Sequence, residues 1–473
     1  MKKLLSIILI LCMLLTAVSC KKNDTPSNDN SEGSNNDTQN EQKELTINGV
    51  KLSEFTVVYD EEGLDYNKRA AEYIKNAALE RAGVELTLTD DSSEPTEHEI
   101  VVGETSRAIS ASLNEDTSGF EFAIMEHGGS IALEGDYFVI AAAAYYFTEN
   151  YIKEAGFEAA IPEGVSIHEP IVKEAKNFII LIGDGMGVNQ TLLYDQLTDT
   201  SGYSDGENQF YGYMFPYQGF SRTESLSGVT DSAAGGTAIS CGTKTLNEHI
   251  GKDKDMNDLQ SLTELAGSLG MATGVMSTEV STGATPASFS AHATDRDSNK
   301  EILDSQEVIT NTYGTVIDCG FDYYTARYMK VIENHISETL ATLASDEDGF
   351  FLMYEEAHID KHCHKNDIDK TFLALIRFNQ AIARFMEFAF YNPDTFVLIT
   401  ADHETGSLHP NEEGVFVYNS EEHSADDVPI FTYGYGSELF DGKTVENIQI
   451  GHTVASFMGV YDFGDQSEFT YLK

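Results

Sequence analysis

Four apolar runs in the C-terminal part of the chain each stop at a cluster of acidic or imidazole side chains: NFIILIGDGMG from Asn177, MATGVMSTE from Met271, GFFLMYEEAHID from Gly349 and TFVLITADHE from Thr395. Uninterrupted apolar runs of this length suit strands buried on both faces, as in a parallel sheet. Helical patterns at Leu259–Leu269 and Asp369–Phe390 fall between them. Alternating buried strand and helix predicts an α/β fold, a doubly wound and mostly parallel sheet, for residues 171–473. In such a sheet ligands collect beyond the C-terminal strand ends. All four polar clusters sit at those ends.

The preceding region patterns differently. Short alternating runs, EFTVVYD, HEIVVGE, GFEFAIME and SIALEGD, surround helical patterns at Tyr66–Arg81 and Tyr137–Ile152, which predicts a smaller N-terminal α+β domain over residues 44–170. It holds no catalytic constellation and reads as an accessory domain for docking or spacing. Its VVGET and EGDYFVIAAAAYYFTENYI segments resemble the noncatalytic domains that accompany some glycoside hydrolases, which leaves a glycan contact open. Residues 1–20, MKKLLSIILILCMLLTAVSC, have two lysines, an apolar stretch and small residues ending at a cysteine, the layout of an export signal. They resemble a bacterial lipoprotein signal with Ala17-Val18-Ser19-Cys20 as its lipobox. The expectation is an exported protein of the cell envelope, membrane-anchored through lipid on Cys20. Residues 21–43 contain nothing that could anchor a core and read as a disordered tether. With Cys12 in the signal and Cys20 lipidated, Cys241, Cys319 and Cys363 remain, and they indicate no disulfide framework.

A formal net charge of −49 with only 29 Lys+Arg argues against a nucleic-acid partner, because a polyanion is repelled over most of the surface. A phosphate-sized ligand would need concentrated positive charge. With basic residues so sparse, metal ions are its natural source.

The stretch VTDSAAGGTAISCGTKT from Val229 places Asp231 and Ser232 at a helix start and follows them with small residues. Asp or Ser there caps free backbone N–H groups, and small residues allow close packing. The same helix N-terminus suits a serine oxygen that loses its proton beside a phosphate. At the strand ends, Asp184 lies in a glycine-rich turn and Asp402-His403 offers an oxygen and an imidazole to one ion. Asp360 and His364, four residues apart, share a helix face and can meet one divalent ion.

Together FIILIGDGMG, VTDSAAGGTA, ATPASFSAHATDR, FFLMYEEAHIDKHCH, TADHE and EEHSADDVPIFTYG resemble the alkaline phosphatase family in content and order, over nearly all of Ile171 to Gly459. The resemblance implies a phosphomonoesterase that works through a phosphoserine on Ser232, with Arg296 clamping phosphate and Lys361 reaching it through water. It implies two zinc ions, one on Asp360, His364 and His423, the other on Asp184, Asp402 and His403 with Ser232. A magnesium ion falls to Asp184, Thr285 and Glu355. Two divalent ions about 3.5–4 Å apart stabilise the entering and leaving oxygens of an in-line displacement together. Four carboxylate ligands set against three divalent ions and Arg296 leave such a site at about +3, and at about −3 without metal.

Some features depart from that pattern. Gly283 stands where the best-known bacterial members have an aspartate touching the magnesium's water shell. The interval from Arg296 to Glu355 is short, so the crown-like insert of larger members is missing and the site is expected to be open. His358, His362, Cys363 and His409 match no ligand position. Rival readings are a phosphodiesterase of the same superfamily, many of which lack the magnesium ligands present here, and a glycan-binding lipoprotein with a relic phosphatase domain. A homodimer is left open.

Overall fold

Asn177–Gly183 runs up the middle of an eight-stranded sheet, buried along its whole length. The sheet order is Val316–Cys319, Ala272–Ser277, Phe350–Glu356, Asn177–Gly183, Thr395–Thr400, Val428–Tyr433, Tyr217–Arg222 and Thr444–Glu446. The first five strands are mutually parallel. Val428–Tyr433 runs antiparallel to both of its neighbours. Chain order reverses beside Asn177–Gly183, which pairs with Phe350–Glu356 on one side and Thr395–Thr400 on the other. That arrangement opens a crevice at the C-terminal strand ends. The register aligns Ile182 with both Glu355 and Thr400, and Ser277 with Glu355. The polar clusters of four runs therefore meet at one edge, as the sequence predicts.

Burial on both faces explains the unbroken apolar runs. Ile179 and Leu181 join one hydrophobic cluster, while Phe178, Ile180 and Ile182 join another on the opposite face. The long helix Ile368–Tyr391, started by the Asp367 side chain accepting from the Lys370 N–H, covers the first face. Leu262–Ser268 and Asn447–Phe457 cover the second.

The structure, a computed structural model, describes residues 43–60, 65–113, 117–201, 209–320 and 329–473. The proposed signal, Cys20 and all of the tether except Lys43 lie outside the described residues. Cys241, Cys319 and Cys363 are free thiols. Among the described residues no helix is long and apolar enough to cross a membrane.

The N-terminal region forms a six-stranded mixed sheet, ordered Thr87–Asp90, Thr56–Tyr59, Glu99–Val102, Ser130–Glu134, Phe122–His127 and Gly164–His168. Its helices are Asp65–Ala77, extended by a π turn at Ala78–Ala82, and Ile140–Tyr151. These helices pack directly on Ile368–Tyr391. Tyr73 stacks on Tyr391 with ring centroids 4.4 Å apart, Phe138 stacks on Phe390 at 6.0 Å, and Arg69 Nε donates to Glu387 at 2.6 Å. One hydrophobic cluster runs through both regions, and Lys43–Lys473 forms one compact unit. Contacts of this kind make a shared core, because each buried aromatic pair removes large apolar areas from water.

Candidate active site and metal centre

Ser232 is the first residue of the helix Ser232–Cys241, and it is buried. Asp231 caps that helix by accepting the Ala234 N–H at 3.0 Å through Oδ1. Its Oδ2 accepts from the Glu248 N–H at 3.0 Å and from Arg296 Nη1 at 3.1 Å. Asp231 therefore does two jobs: it starts the helix and holds Arg296 beside the serine. The glycines that follow answer a steric need. A Cβ on Gly235 would stand 2.9 Å from the Asp402 carbonyl oxygen, and one on Gly236 would collide with Ser288 Oγ. The helix thus lies against the strand end bearing Asp402 and the helix Ala284–Ser290 bearing Thr285.

Three imidazoles converge in front of Ser232. His364 Nδ1 donates to the Glu421 carbonyl, His423 Nδ1 to the Thr230 carbonyl at 2.9 Å, and His403 Nδ1 to Thr405 Oγ1 at 3.2 Å. With the Nδ1 protons so engaged, each Nε2 turns a lone pair inward. His364 Nε2 and His423 Nε2 are 3.0 Å apart and lie 3.2 and 3.6 Å from Asp360 Oδ1. His403 Nε2 lies 3.5 Å from Asp184 Oδ1, 3.4 Å from Asp402 Oδ2 and 3.1 Å from Ser232 Oγ. The His403 and His423 rings stack at 3.6 Å. Two ligand sets able to hold an ion emerge, Asp360, His364 and His423, and Asp184, Asp360 and His403. Asp402 adds a further oxygen to the second.

Several buried oxygens here have no hydrogen-bond partner: Asp184 Oδ1, Asp402 Oδ2, Thr285 Oγ1 and Glu355 Oε1. Orphaned buried carboxylate oxygens are costly without a cation. Their titration carries the same mark. Burial, together with Asp402, Asp360, Glu355 and Glu279, drives the Asp184 pKa well upward. Burial and then Asp360 push Asp402 to about 6, and burial and then Glu279 push Glu355 to about 8. Burial, reinforced by His423, lowers His403 to about 3, so it is neutral. Unpartnered carboxylates beside converging imidazole lone pairs fit divalent cations.

Burial opposes the Arg296 charge, but Asp231, Asp184 and Asp402 outweigh it and raise the pKa of the guanidinium. Lys361 Nζ donates to Glu279 at 2.5 Å. All the residues predicted for the site thus gather at one sheet edge. Of the remaining candidates, Cys363 is buried and turned toward Tyr418 Oη at 3.3 Å, with burial pushing its thiol up to about 12. His358 Nδ1 meets Thr278 Oγ1 at 3.2 Å, burial lowers His362 to about 4, and His409 Nδ1 donates to the Ser407 carbonyl at 3.1 Å. Two residues were missed at the sequence level. Thr405 donates to Asp360 Oδ1 at 2.6 Å while accepting from His403, so it orients two ligands at once. Glu279 is the other, and the bare position at Gly283 was the available clue.

The family model described as alkaline phosphatase matches residues 175–319 and 331–419. Alkaline phosphatase 3 of Bacillus subtilis (strain 168) is 31% identical over 326 residues, covering 58% of this chain and 70% of that protein. The alkaline phosphatase of Escherichia coli (strain K12) is 38% identical over 133 residues, covering 26% of this chain and 27% of that protein. Among solved structures, alkaline phosphatase from the Antarctic bacterium TAB5 aligns with a TM-score of 0.52 at 26% identity, covering 61% of this chain and 99% of that one. A histidine-to-glutamate variant of the TAB5 enzyme, with magnesium bound in its M3 site, aligns with a TM-score of 0.53 at 27% identity, covering 61% of this chain and 99% of that one.

Proposed function

The chain belongs to the alkaline phosphatase family and is a metal-binding phosphohydrolase, and on that premise we propose that it cleaves phosphate monoesters through a phosphoserine on Ser232. In this reading one zinc ion is held by Asp360, His364 and His423, and a second by Asp184, Asp402, His403 and Ser232. A magnesium ion is held by Asp184, Thr285 and Glu355, an all-oxygen set suited to a hard cation. When bound, the paired divalent ions supply the charge that stabilises both the entering and the leaving oxygen of an in-line displacement.

The chain's own residues do the rest. The N-terminus of Ser232–Cys241 favours the deprotonated serine oxygen through its free N–H groups. Ser232 Oγ attacks phosphorus, the ester P–O bond breaks and the alcohol departs. Water then attacks the phosphoserine, the Oγ–P bond breaks, and inorganic phosphate leaves with Ser232 restored. Arg296 offers two parallel N–H donors to nonbridging oxygens, which lysine cannot reproduce. Asp231 keeps that fork aimed. Lys361 reaches the phosphate through water.

The observation that carries this reading is the convergence of three imidazole lone pairs and the orphaned carboxylate oxygens of Asp184 and Asp402 before a serine at a helix start. Metal content by mass spectrometry, set beside hydrolysis of an aryl phosphate, tests it. Zinc and magnesium bound together with zinc-dependent turnover supports it, and full turnover by metal-stripped protein contradicts it. We further propose that the protein acts outside the cytoplasm on a lipid anchor at Cys20, which the lipobox supports.

A further inference from the structure

Gly283 poses a steric puzzle. Its backbone, φ −59° and ψ 151°, is open to any residue, so conformation does not call for glycine. Space does: a Cβ there would lie 2.5 Å from Glu279 Oε2 and 2.6 Å from its Cδ. The carboxylate of Glu279 fills the place where a side chain at 283 would begin. Its other oxygen accepts from Lys361 Nζ at 2.5 Å. Its backbone N–H donates to Ser277 Oγ at 2.8 Å, and that hydroxyl donates to Glu355 Oε2. Glu279 is thereby fixed at both ends. Through Ser277 it is linked to Glu355, one of three buried side chains with an oxygen that lacks a partner, Asp184 Oδ1, Thr285 Oγ1 and Glu355 Oε1, with residue exposures of 4%, 1% and 0%.

We propose that Glu279 is a positioning residue that closes the third cation site with a carboxylate supplied from four residues before the empty position, and that it ties this site to Lys361. The inference rests on the reading of Asp184, Thr285 and Glu355 as the magnesium site. Magnesium keeps much of its water and is held by few direct carboxylates. An added carboxylate beside such an ion acts on its water molecules and strengthens its hold without becoming a ligand. Glu279 also pairs with the ammonium of Lys361, so one carboxylate couples cation occupancy to phosphate positioning. Glycine at 283 is the condition for both contacts.

The test is magnesium binding by zinc-loaded protein, measured by titration calorimetry and by metal analysis after dialysis, for the parent, Glu279→Gln, Glu355→Gln and the double variant Glu279→Ala/Gly283→Asp. Glu279→Gln keeps the shape and removes the charge. It is expected to weaken magnesium binding roughly 10–100-fold with zinc content unchanged, the usual cost of losing a partner behind a metal ligand. The double variant returns a carboxylate to the same space and is expected to recover most of that affinity. Glu355→Gln removes a direct ligand and is expected to abolish uptake. Parental magnesium affinity in Glu279→Gln overturns the role of Glu279 alone. A parent that binds no magnesium, or binds it regardless of Glu355, overturns the underlying site as well.

Discussion

Ser232 Oγ and His403 Nε2 stand 3.1 Å apart at the C-terminal edge of the sheet, close enough for the pair to look like a nucleophile with its base. The environment of His403 argues for another role. Burial lowers its pKa to about 3, and a base so weak is poorly matched to drawing a serine proton near neutral pH. Its Nδ1 is committed to Thr405, and its Nε2 also faces Asp184 and Asp402. An imidazole in that setting suits a metal ligand better than a base, and in the proposed mechanism activation of Ser232 falls to the cations and the helix N-terminus.

Arg296→Lys is expected to keep the charge and lose the fork. Losing one charge-assisted hydrogen bond to phosphate costs about 1.5–3 kcal/mol, or roughly ten- to a hundredfold in kcat/KM. Competitive inhibition by inorganic phosphate should weaken by a similar factor. Unchanged phosphate inhibition in Arg296→Lys would remove the guanidinium from the substrate site.

Stripping the metals should make stability depend on pH. Asp402 is raised to about 6 and Glu355 to about 8 in the metal-free fold, and both ionise more readily in the unfolded chain. The stabilisation from holding their protons is complete below the ordinary carboxylate range and is lost as pH climbs through 6 and then 8. The Tm of chelator-treated protein is therefore expected to fall between pH 4 and 8, and Glu355→Gln should flatten the upper part of that fall. Zinc and magnesium should restore the Tm at pH 8. A metal-free Tm that rises over this interval would contradict the assignment of these carboxylates.

Gly235→Ala tests the close approach of the serine-bearing helix. The added methyl would stand 2.9 Å from the Asp402 carbonyl oxygen, so helix and strand end must separate. Overpacking of this kind costs about 1–3 kcal/mol. Because the strain falls beside Asp402, zinc retention should drop along with the Tm. Ala233→Gly, on the same helix, serves as the comparison for zinc retention.

What the sequence disclosed and what it withheld follow from the range of the interactions. Asp184, Asp402 and His403 were legible because Asp184 follows one apolar strand and the Asp402-His403 pair follows another. The 360/364 pair was legible because helical spacing is local. The helix predicted at Tyr137–Ile152 opens as a 3-10 turn at Tyr137–Val139 before Ile140–Tyr151, and Ile152 is already extended. The contact of Tyr73 with Tyr391 and of Arg69 with Glu387 joins residues more than 300 apart in sequence, and no local pattern announces it. Glu279 was hidden for another reason. Its place is defined by a side chain that Gly283 does not have, so only the folded geometry gives it meaning.

Phosphate monoesters should be cleaved far faster than diesters, each rate being set against its uncatalysed one. A monoester dianion presents three nonbridging oxygens, whereas a diester turns one of them into a bulky ester near Thr285 and Glu355 and brings less charge to a metal-loaded site of about +3. The comparison uses an aryl phosphate and the matching bis-aryl phosphate on zinc- and magnesium-loaded enzyme. A diester preference that persists in Glu355→Ala would place the protein with the phosphodiesterases.

The central claim is that phosphate passes through Ser232, and the most direct measurement is to trap it there. Metal-loaded enzyme is mixed with an aryl phosphate at mildly acidic pH, quenched in acid, digested and mapped by mass spectrometry, with Ser232→Ala in parallel. The expected result is a phosphoryl group on the peptide containing Ser232, formed before steady turnover and discharged on return to alkaline pH. Ser232→Ala should keep its fold and zinc, carry no label and lose turnover on the order of 10³-fold or more. Phosphoryl transfer to a different residue, or near-parental turnover by a folded, zinc-loaded Ser232→Ala, would contradict the account.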